Sequence, residues 1–334
     1  MPSRPPNSAT DRVVLSSWPT PLEAAPRLAG WLGLDAGVCW IKRDDLVGLG
    51  GGGNKVRKLE YLCAAALERR ATVLVTSGRR QSNHARITAA AAARLGLGCV
   101  LVLGGERPHE ASGNLALEAL MGTEVEWVGD LSDGELDEAV TSVASRLEAS
   151  GQRVEVIPLG GSSPTGARGY VDCGAEIEAE RPGVRHVVVA VGSGGTMAGL
   201  VAHLGSERVL GVDVGATADP AVRVAAMASA LGAGVGPVDL RIRRDQVGPG
   251  YGKLTEPARA ALLAAARLEG VFLDPVYTAK ALSGLAAEVR EGGIGKDEQT
   301  VFVHTGGLPG LFGHPLIGEL DPPSTGGPVG KGGR

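Results

Sequence analysis

Hydrophobic positions along the chain fall into two alternating kinds of segment. The first kind is a short apolar run rich in β-branched residues, which is typical of a strand buried on both faces. Eight segments fit this description: 38–43, 72–77, 99–104, 124–128, 154–159, 186–191, 208–214 and 300–305. The second kind is a longer alanine-rich stretch with helical spacing of its apolar residues, found at 55–70, 84–96, 133–149 and 256–270. This alternation predicts an α/β fold made of parallel βαβ units.

Four of the predicted strands end in turns rich in glycine and serine, each followed by a helical pattern. The turns read TSGRRQSN, PLGGSSPTG, AVGSGGTMAG and VHTGGLPG. Ligands of open α/β sheets bind at the carboxyl ends of strands, beside helix N-termini. Four such turns exceed what the connections alone require, and we expect them to form a ligand site.

Length and composition narrow the class of protein. The 334 residues favour about two domains. A net charge of -4 and a pI of about 5.9 leave no basic footprint for nucleic acid. No apolar run reaches the roughly 18 residues of a membrane span, and the polar start lacks the apolar part of a signal peptide. We therefore expect a cytoplasmic enzyme without nucleic-acid or membrane partners.

Cysteine and histidine spacing gives no sign of a disulfide framework or a metal site. The four cysteines are scattered without a CxxC pair, and the six histidines show no HxxxH or HxH spacing. Reduced thiols and no bound metal are the expectation. Residues 319–334 are rich in proline and glycine, which predicts a disordered tail.

The segment from Gly192 to Thr196 joins a predicted strand to a predicted helix. Its backbone N–H groups and the hydroxyls of Ser193 and Thr196 suit a phosphate at the positive end of a helix dipole. It contains no Gly-Lys-Ser/Thr, and Met197 stands where a dinucleotide fingerprint has its third glycine. From these residues alone, a plain tight turn is an equally good interpretation.

Four consecutive glycines, Gly50 to Gly53, precede a helical pattern that opens with NKVRK. Glycine loses the most backbone entropy on folding, so the run indicates a close approach to the backbone or a moving loop. Lys55, Arg57 and Lys58 crowd a helix N-terminus, where the dipole disfavours cations. Ordinary solvated lysines are one interpretation. The other is a nearby anion, with Lys55 poised to react with a carbonyl compound.

Ser82, Asn83 and His84 open a predicted helix after a strand. An N-cap role explains one of the two residues Ser82 and Asn83 but not both. Recognition of a carboxylate by N–H groups and hydroxyls is the functional interpretation. For His84 the pattern leaves a site residue and an ordinary first-turn histidine both open.

Two of the four tyrosines lie in turns rich in glycine or proline. Tyr251 lies in VGPGYGK, and Tyr277 precedes Thr278 in FLDPVYTAKA, which we interpret as a strand-to-helix turn. A phenol can stack on a flat cofactor and exchange a proton. Taken singly, each tyrosine is more often a packing residue.

Together these segments resemble the pyridoxal-phosphate enzymes of fold type II, the tryptophan-synthase-β-like group. Within that group they are similar to the branch that contains aminocyclopropane-carboxylate deaminase and D-cysteine desulfhydrase. The resemblance spans nearly the whole chain, from 19–30 to 304–313. It rests on six segments in family order: KRDD…GGNKVRKLEYL, QSNHAR, GGSSPTGARGY, GPGYG, DPVYTAKA and HTGG.

The resemblance implies a role for each candidate residue around pyridoxal 5'-phosphate. Lys55 would bind the coenzyme covalently, and Asn83 would hydrogen-bond its ring hydroxyl. Ser82, Asn83 and His84 would contact the substrate, with Lys55 and Ser82 as candidate bases for the α-proton. Tyr251 and Tyr277 would flank the ring and the substrate, and Tyr277 would help the leaving group depart. The remaining coenzyme contacts would come from Lys58, Gly192, Ser193, Gly194, Gly195, Thr196 and Thr305.

Three positions separate the branches of this family. Where the cyclopropane deaminases carry Glu after the tyrosine of DPVY, this chain has Thr278, a candidate substrate contact. It also has Thr305 in HTGG, and His84 where the deaminases usually carry Gln. A neutral hydroxyl sustains a weaker electron sink than a carboxylate does, which favours β-elimination over ring opening.

The function implied is a β-elimination lyase acting on a small amino acid, with D-cysteine converted to pyruvate, sulfide and ammonia. The alternatives are an L-cysteate sulfo-lyase, for which Arg79 and Arg80 would suit an anionic substrate, an aminocyclopropane-carboxylate deaminase, and a catalytically silent binding protein. The resemblance also implies a homodimer of chains with two three-layer α/β/α domains. The large coenzyme-binding domain would comprise 1–58 and 169–318, and the small domain 59–168.

Overall fold

Two separate sheets form the framework of the protein. The computed structural model describes residues 11–320. The strands are β1 Leu22–Ala24, β2 Cys39–Arg43, β3 Val73–Arg79, β4 Gly98–Gly104, β5 Glu124–Trp127, β6 Val154–Ile157, β7 His186–Val191, β8 Val209–Asp213, β9 Arg241–Arg243 and β10 Thr300–His304. The α-helices are α1 Pro26–Leu32, α2 Lys55–Glu68, α3 Asn83–Leu95, α4 Asn114–Leu120, α5 Asp133–Ala149, α6 Pro164–Glu180, α7 Gly195–Leu204, α8 Pro220–Ala230, α9 Glu256–Glu269, α10 Thr278–Arg290 and α11 Leu308–Phe312.

The larger sheet has the strand order β1-β2-β10-β7-β8-β9 and is parallel except for the β1–β2 pair. Successive residues of its central strands face opposite sides, as the pleat requires. Val188 and Phe302 belong to a core with α1, α9 and α10. Val189 and Val303 belong to a second core with α6, α7 and α8. Helices therefore cover both faces, which explains the unbroken apolar character of these strands.

The smaller sheet has the order β5-β4-β3-β6 and is wholly parallel. Leu74 on β3 packs in a core with α2 and α3. Val73 and Val75, on the other face, pack against α5. Its strands lie between residues 73 and 157, inside the 59–168 unit expected from the sequence. The exact domain boundaries stay a prediction.

All eight predicted strands are confirmed, with ends that shift by at most two residues. The sequence analysis missed β1 and β9, each only three residues long and at an edge of the larger sheet. The strand expected before Tyr277 was wrong, because residues 271–277 form coil and turn. The predicted tail lies outside the described residues except for 319 and 320. Among the described helices, none is both long and apolar enough to cross a membrane.

Candidate active site

A cavity of about 330 Å³ lies between the two sheets. All four turns rich in glycine and serine contribute to its wall, as expected, through Gly78, Gly160, the 192–196 loop and Gly306. Tyr251 reaches it from the segment before α9, and further residues come from the turn after β8. The carboxyl ends of strands from both sheets therefore converge on one space.

The glycine run before α2 is required by close backbone packing. Gly50 to Gly53 all have positive φ, between 57° and 117°. A Cβ on Gly52 would lie 2.4 Å from the Asp45 carbonyl oxygen and 2.5 Å from that of Val47. No side chain fits there, and the loop delivers Lys55 to the cavity as the first residue of α2.

Two lysines approach the same carbonyl oxygen at this helix start. Lys55 Nζ donates to the Gly160 oxygen at 3.2 Å, and Lys58 Nζ donates to it at 3.3 Å. Burial lowers the pKa of Lys55 to about 8. Burial together with the neighbouring Lys55 charge lowers the pKa of Lys58 well below its ordinary value. Among the described residues no carboxylate pairs with either lysine, so no protein anion balances the charge of Lys55 and Lys58.

Arg57 does not belong to this cationic cluster, contrary to the grouping made from the sequence. Its side chain turns to the other side of α2, where Nη2 lies 2.9 Å from Asp44 Oδ1 and 2.8 Å from Glu176 Oε2. The Asp44 carboxylate is fully buried, and the Arg57 charge helps to hold its pKa below the ordinary value against the cost of burial. Arg57 thus has protein anions, and only Lys55 and Lys58 require another.

The loop before α7 lies against these lysines. Ser162 connects the parts: its Oγ accepts from Lys58 Nζ at 3.1 Å and from the Gly195 N–H at 3.2 Å, and it lies 2.7 Å from Ser193 Oγ. A Cβ on Gly195 would come within 2.7 Å of Ser162 Oγ and 3.0 Å of Lys58 Nζ. Asn54 Nδ2 donates to Thr196 Oγ1 at 3.0 Å.

This donor set fits a phosphate dianion. Two ammonium groups without carboxylate partners, clustered hydroxyls and the N-terminus of a ten-residue helix all favour negative charge at one place. The cavity wall also holds two buried polar atoms without a hydrogen-bond partner in the described range, Thr217 Oγ1 and His84 Nδ1. The residues therefore fit the phosphorylated coenzyme that the resemblance implies.

Ser82, Asn83 and His84 all line the cavity. Ser82 is the N-cap of α3, where its Oγ accepts from the Ala85 N–H at 3.1 Å. A Cβ on Gly78 would lie 2.5 Å from the Ser82 side chain, so this glycine leaves the space that Ser82 occupies. Capping and a position at the site are thus compatible for Ser82.

His84 is held as a neutral ring. Its Nε2 lies 2.9 Å from Thr76 Oγ1, which itself donates to the Ile157 carbonyl. Because the Thr76 hydroxyl already donates its only proton to the Ile157 carbonyl, the His84 ring donates from Nε2, and Nδ1 is the acceptor. Burial lowers the pKa of His84 well below its ordinary value, and the charges of Lys55 and Lys58 lower it further.

Tyr251 and Tyr277 both line the cavity and contact each other. Their hydroxyl groups are hydrogen-bonded to each other, and the rings lie edge to face with centroids 6.0 Å apart. A Cβ on Gly192 would be 3.2 Å from the Tyr277 ring, so the glycine allows this ring to lie over the loop. Burial raises the pKa of both phenols, and the neighbouring Tyr251 raises the pKa of Tyr277 further. Both hydroxyls therefore keep their protons at neutral pH.

Thr278 is not among the residues that line the cavity. It is fully buried, and its hydroxyl donates to Asp274 Oδ1 at 2.7 Å. Asp274 also accepts from the N–H groups of Val276, Tyr277 and Thr278 at 2.8–2.9 Å. Thr278 thus supports the turn that carries Tyr277, and a direct contact with substrate stays a prediction.

The structure adds wall residues that sequence reasoning did not assign. Asn54 and Thr217 line the cavity, and Ser162 joins Lys58 to the 192–196 loop. Ser162 was visible only as part of a turn rich in glycine and serine, whereas nothing in the sequence marked Thr217. Thr305 lines the cavity as expected, and the exposed Arg79 also contributes to its wall.

Comparisons with known proteins agree with this geometry. A family profile described as "Pyridoxal-phosphate dependent enzyme" matches residues 13–306. The D-cysteine desulfhydrases of Salmonella choleraesuis (strain SC-B67) and Salmonella schwarzengrund (strain CVM19633) are each 42% identical over 325 residues, covering 92% of this chain and 97% of theirs.

Solved structures extend the similarity to the fold. A structure titled as an ACC deaminase homologue superposes with a TM-score of 0.83 and 39% identity, covering 93% of this chain and 96% of the other. Threonine deaminase isoform 2 from Solanum lycopersicum shares the fold, with a TM-score of 0.62 and 21% identity. The superposition covers 87% of this chain and 80% of the other. The expected fold type II is confirmed. The chain belongs to the family of pyridoxal-phosphate-dependent enzymes.

Proposed function

We propose that the protein is a carbon–sulfur lyase that converts D-cysteine and water to pyruvate, hydrogen sulfide and ammonia. The observation that carries the proposal is the convergence of Lys55, Ser82 and Tyr277 on one cavity of about 330 Å³. Such a volume suits a coenzyme with a small substrate. The name of the relatives at 42% identity supports D-cysteine as the substrate.

The coenzyme would be held by residues of both sheets. Lys58, Ser162 and the loop Gly192–Thr196 would bind its phosphate, and Lys55 would bind it covalently. Asn83 and Thr305 would contact its ring. When bound, the coenzyme supplies an electron sink for the electron pair left behind by the α-proton.

Proton transfer at the α-carbon falls to Lys55 and Ser82. With a pKa lowered to about 8, Lys55 has a substantial neutral fraction near physiological pH, as a general base requires. The Ser82 hydroxyl is bound at the helix cap and lies in the same wall. Tyr277 keeps its proton and is the acid that protonates the departing thiolate.

The substrate carboxylate would bind at the N-terminus of α3. The positive end of this 13-residue helix lies at the wall formed by Ser82 and Asn83. His84, held neutral with an acceptor at Nδ1, suits the ammonium or thiol group of a small amino acid better than a second carboxylate.

The surroundings of Tyr277 support β-elimination over opening of a cyclopropane ring. Thr278 is neutral and already bound to Asp274, so it brings no carboxylate to the cavity. Thr305, also neutral, lines the wall. A site without a carboxylate at these two positions sustains a weaker electron sink, which suffices for a good leaving group.

L-Cysteate is the second candidate substrate, because Arg79 is among the residues that line the cavity. Its Nη1 donates to the Leu131 carbonyl at 2.8 Å. A positive charge in the cavity wall suits a β-sulfonate. Sulfite would then leave in place of sulfide.

The test is keto-acid release by the purified, coenzyme-loaded protein with D-cysteine, L-cysteate and aminocyclopropane carboxylate in parallel. Pyruvate with sulfide from D-cysteine supports the proposal, whereas pyruvate with sulfite supports the second candidate. Product from the cyclopropane alone would replace both with ring opening. Coenzyme colour without turnover of any of the three would identify a silent binding protein. Lys55→Ala is the matched inactive control.

We also propose a cytoplasmic homodimer. The family resemblance supports the dimer, and four free cysteines, three of them buried, support a reducing compartment. Light scattering of the purified protein measures the first, and a monomeric mass would contradict it.

A further inference from the structure

Arg86 connects the glycine run to the first turn of α3. The guanidinium is fully buried and donates to the carbonyl oxygens of Gly50 and Gly52, the second at 3.1 Å. Its Nε donates to Asn114 Oδ1 at 2.6 Å. Arg86 thus links the loop that delivers Lys55 with a buried amide on α4.

The orientation of the Asn114 amide follows from the chemistry of its partners. Arginine can only donate, so the atom facing Arg86 Nε must be the amide oxygen. The other end, Nδ2, donates to the Gln81 carbonyl at 2.9 Å, an acceptor that only an NH₂ group can satisfy. Two independent partners therefore give the same orientation.

Asn114 in turn orients Asn83. Asn114 Nδ2 donates its second proton to Asn83 Oδ1 at 3.1 Å, and Arg86 Nη2 approaches the same oxygen at 3.5 Å. With its oxygen occupied by two donors, Asn83 turns Nδ2 away from them. Among the described residues, Asn83 Nδ2 has no protein partner, and Asn83 lines the cavity.

We infer that Arg86 and Asn114 are positioning residues that hold Asn83 as a hydrogen-bond donor toward the cavity, and so toward an oxyanion on the ring of the coenzyme. The inference rests on the proposed function, because it assigns the polarity of one contact in the same site. Arg86 also binds the glycine run, so one buried side chain sets both this donor and the loop before Lys55.

A hydrogen-bond donor toward the ring oxygen favours the deprotonated form of the coenzyme chromophore. Because of this, loss of the Asn83 donor should raise the pH midpoint of the visible absorbance transition of the coenzyme-loaded protein. Asn114→Asp presents oxygen at both ends, repels Asn83 Oδ1 and turns the Asn83 amide over, while it keeps the contact with Arg86. We expect the midpoint to rise by about one pH unit, with a similar rise in Asn83→Ala.

The double variant separates this effect from the added negative charge. If Asn114→Asp acts through Asn83, it adds no further shift in the Asn83→Ala background. Asn114→Ala removes the same donor without a charge and should shift the midpoint in the same direction by less. Thr88→Val, which removes a buried hydroxyl one turn further along α3, should leave the midpoint unchanged.

An unchanged midpoint in Asn114→Asp, or the same shift with and without Asn83, would overturn the inference. Thermal unfolding of each coenzyme-free variant shows whether the fold is intact, and Asn114→Ala serves if Asn114→Asp does not fold. A wild-type protein without the coenzyme band would overturn the proposed function together with this inference.

Discussion

Lys55 and Lys58 donate to one carbonyl oxygen, that of Gly160, at 3.2 and 3.3 Å. Residues three apart lie on the same face of a helix, so the first turn of α2 directs both ammonium groups to one place. Ser162 lies in the same β6–α6 connection as Gly160, and its Oγ accepts from Lys58 Nζ at 3.1 Å. Two lysine side chains at the positive end of α2 are stable as a charged pair only when an anion binds beside them.

Lys58→Met should weaken coenzyme binding, because it removes a charge-assisted hydrogen bond to the phosphate while keeping the length of the side chain. Such a bond contributes about 1.5–3 kcal/mol, so we expect a loss of about 10- to 100-fold in affinity. Absorbance titration of the coenzyme-free protein measures it. Unphosphorylated pyridoxal is the control ligand, and an equal loss for both ligands would show that Lys58 does not act on the phosphate.

Ser82→Ala should lower both stability and turnover. Removing the N-cap of α3 costs about 1 kcal/mol of unfolding free energy. Thr255→Ala removes the corresponding cap of α9, where Thr255 Oγ1 accepts from the Ala258 N–H at 3.3 Å, and Thr255 is outside the cavity wall. We expect similar losses in denaturant unfolding but a loss of kcat only in Ser82→Ala. Equal turnover in the two variants would show that Ser82 acts only as the N-cap of α3.

Tyr277→Phe should slow the release of sulfide from D-cysteine by roughly 100-fold or more, the usual range for loss of a general acid. The coenzyme spectrum should stay as in the wild type. β-Chloro-D-alanine is the control substrate, because chloride leaves without a proton, and its turnover should fall much less. Steady-state kinetics with both substrates decides, and an equal fall would assign Tyr277 to packing of the ring.

Glu118 should make the stability fall as pH rises. Its carboxylate is buried without a hydrogen bond among the described residues, and burial raises its pKa from 4.5 to about 8, although the Arg86 charge opposes the shift. Between these values the folded protein keeps a proton that the unfolded chain has released, so the free energy of unfolding decreases with pH.

Glu118→Gln removes this titration. As the pH rises from 5 to 8, we expect the stability of the variant to increase relative to the wild type by on the order of 3 kcal/mol. Urea unfolding at both pH values measures the difference. Glu110→Gln, which removes an exposed carboxylate, is the matched control. A wild-type stability with the same pH slope as Glu118→Gln would contradict the assignment.

The central strands could be predicted because the cores on both faces of each sheet leave unbroken apolar runs. The edge strands β1 and β9 escaped, since three residues are too few for a pattern and their pairing is set by the neighbouring strand. The turn before Tyr277 was predicted to follow a strand because residues 271–273, Val-Phe-Leu, are all apolar. In the folded protein Asp274 instead binds three successive N–H groups and shapes a turn.

The site was predictable where a residue type is unusual for its place. Lys55 follows a run of four glycines, and Ser82 and Asn83 stand together at a helix start. Both patterns are unusual enough to indicate a site. Arg57 was misplaced because composition alone cannot show that a neighbouring helix, α6, presents Glu176 to it. Ser162 and Thr217 are ordinary polar residues in ordinary turns, and only their position across the cleft gives them a role.

The sequence by itself determined the α/β alternation, the ligand-binding turns and the position of Lys55, because these depend on local pattern and backbone freedom. Only the tertiary structure decided which partner each polar group meets. Arg86, Asn114 and Asn83 come from two helices and depend on hydrogen-bond directions at about 3 Å, which packing sets and residue order does not. The polarity of the contact offered to the coenzyme is therefore a property of the fold.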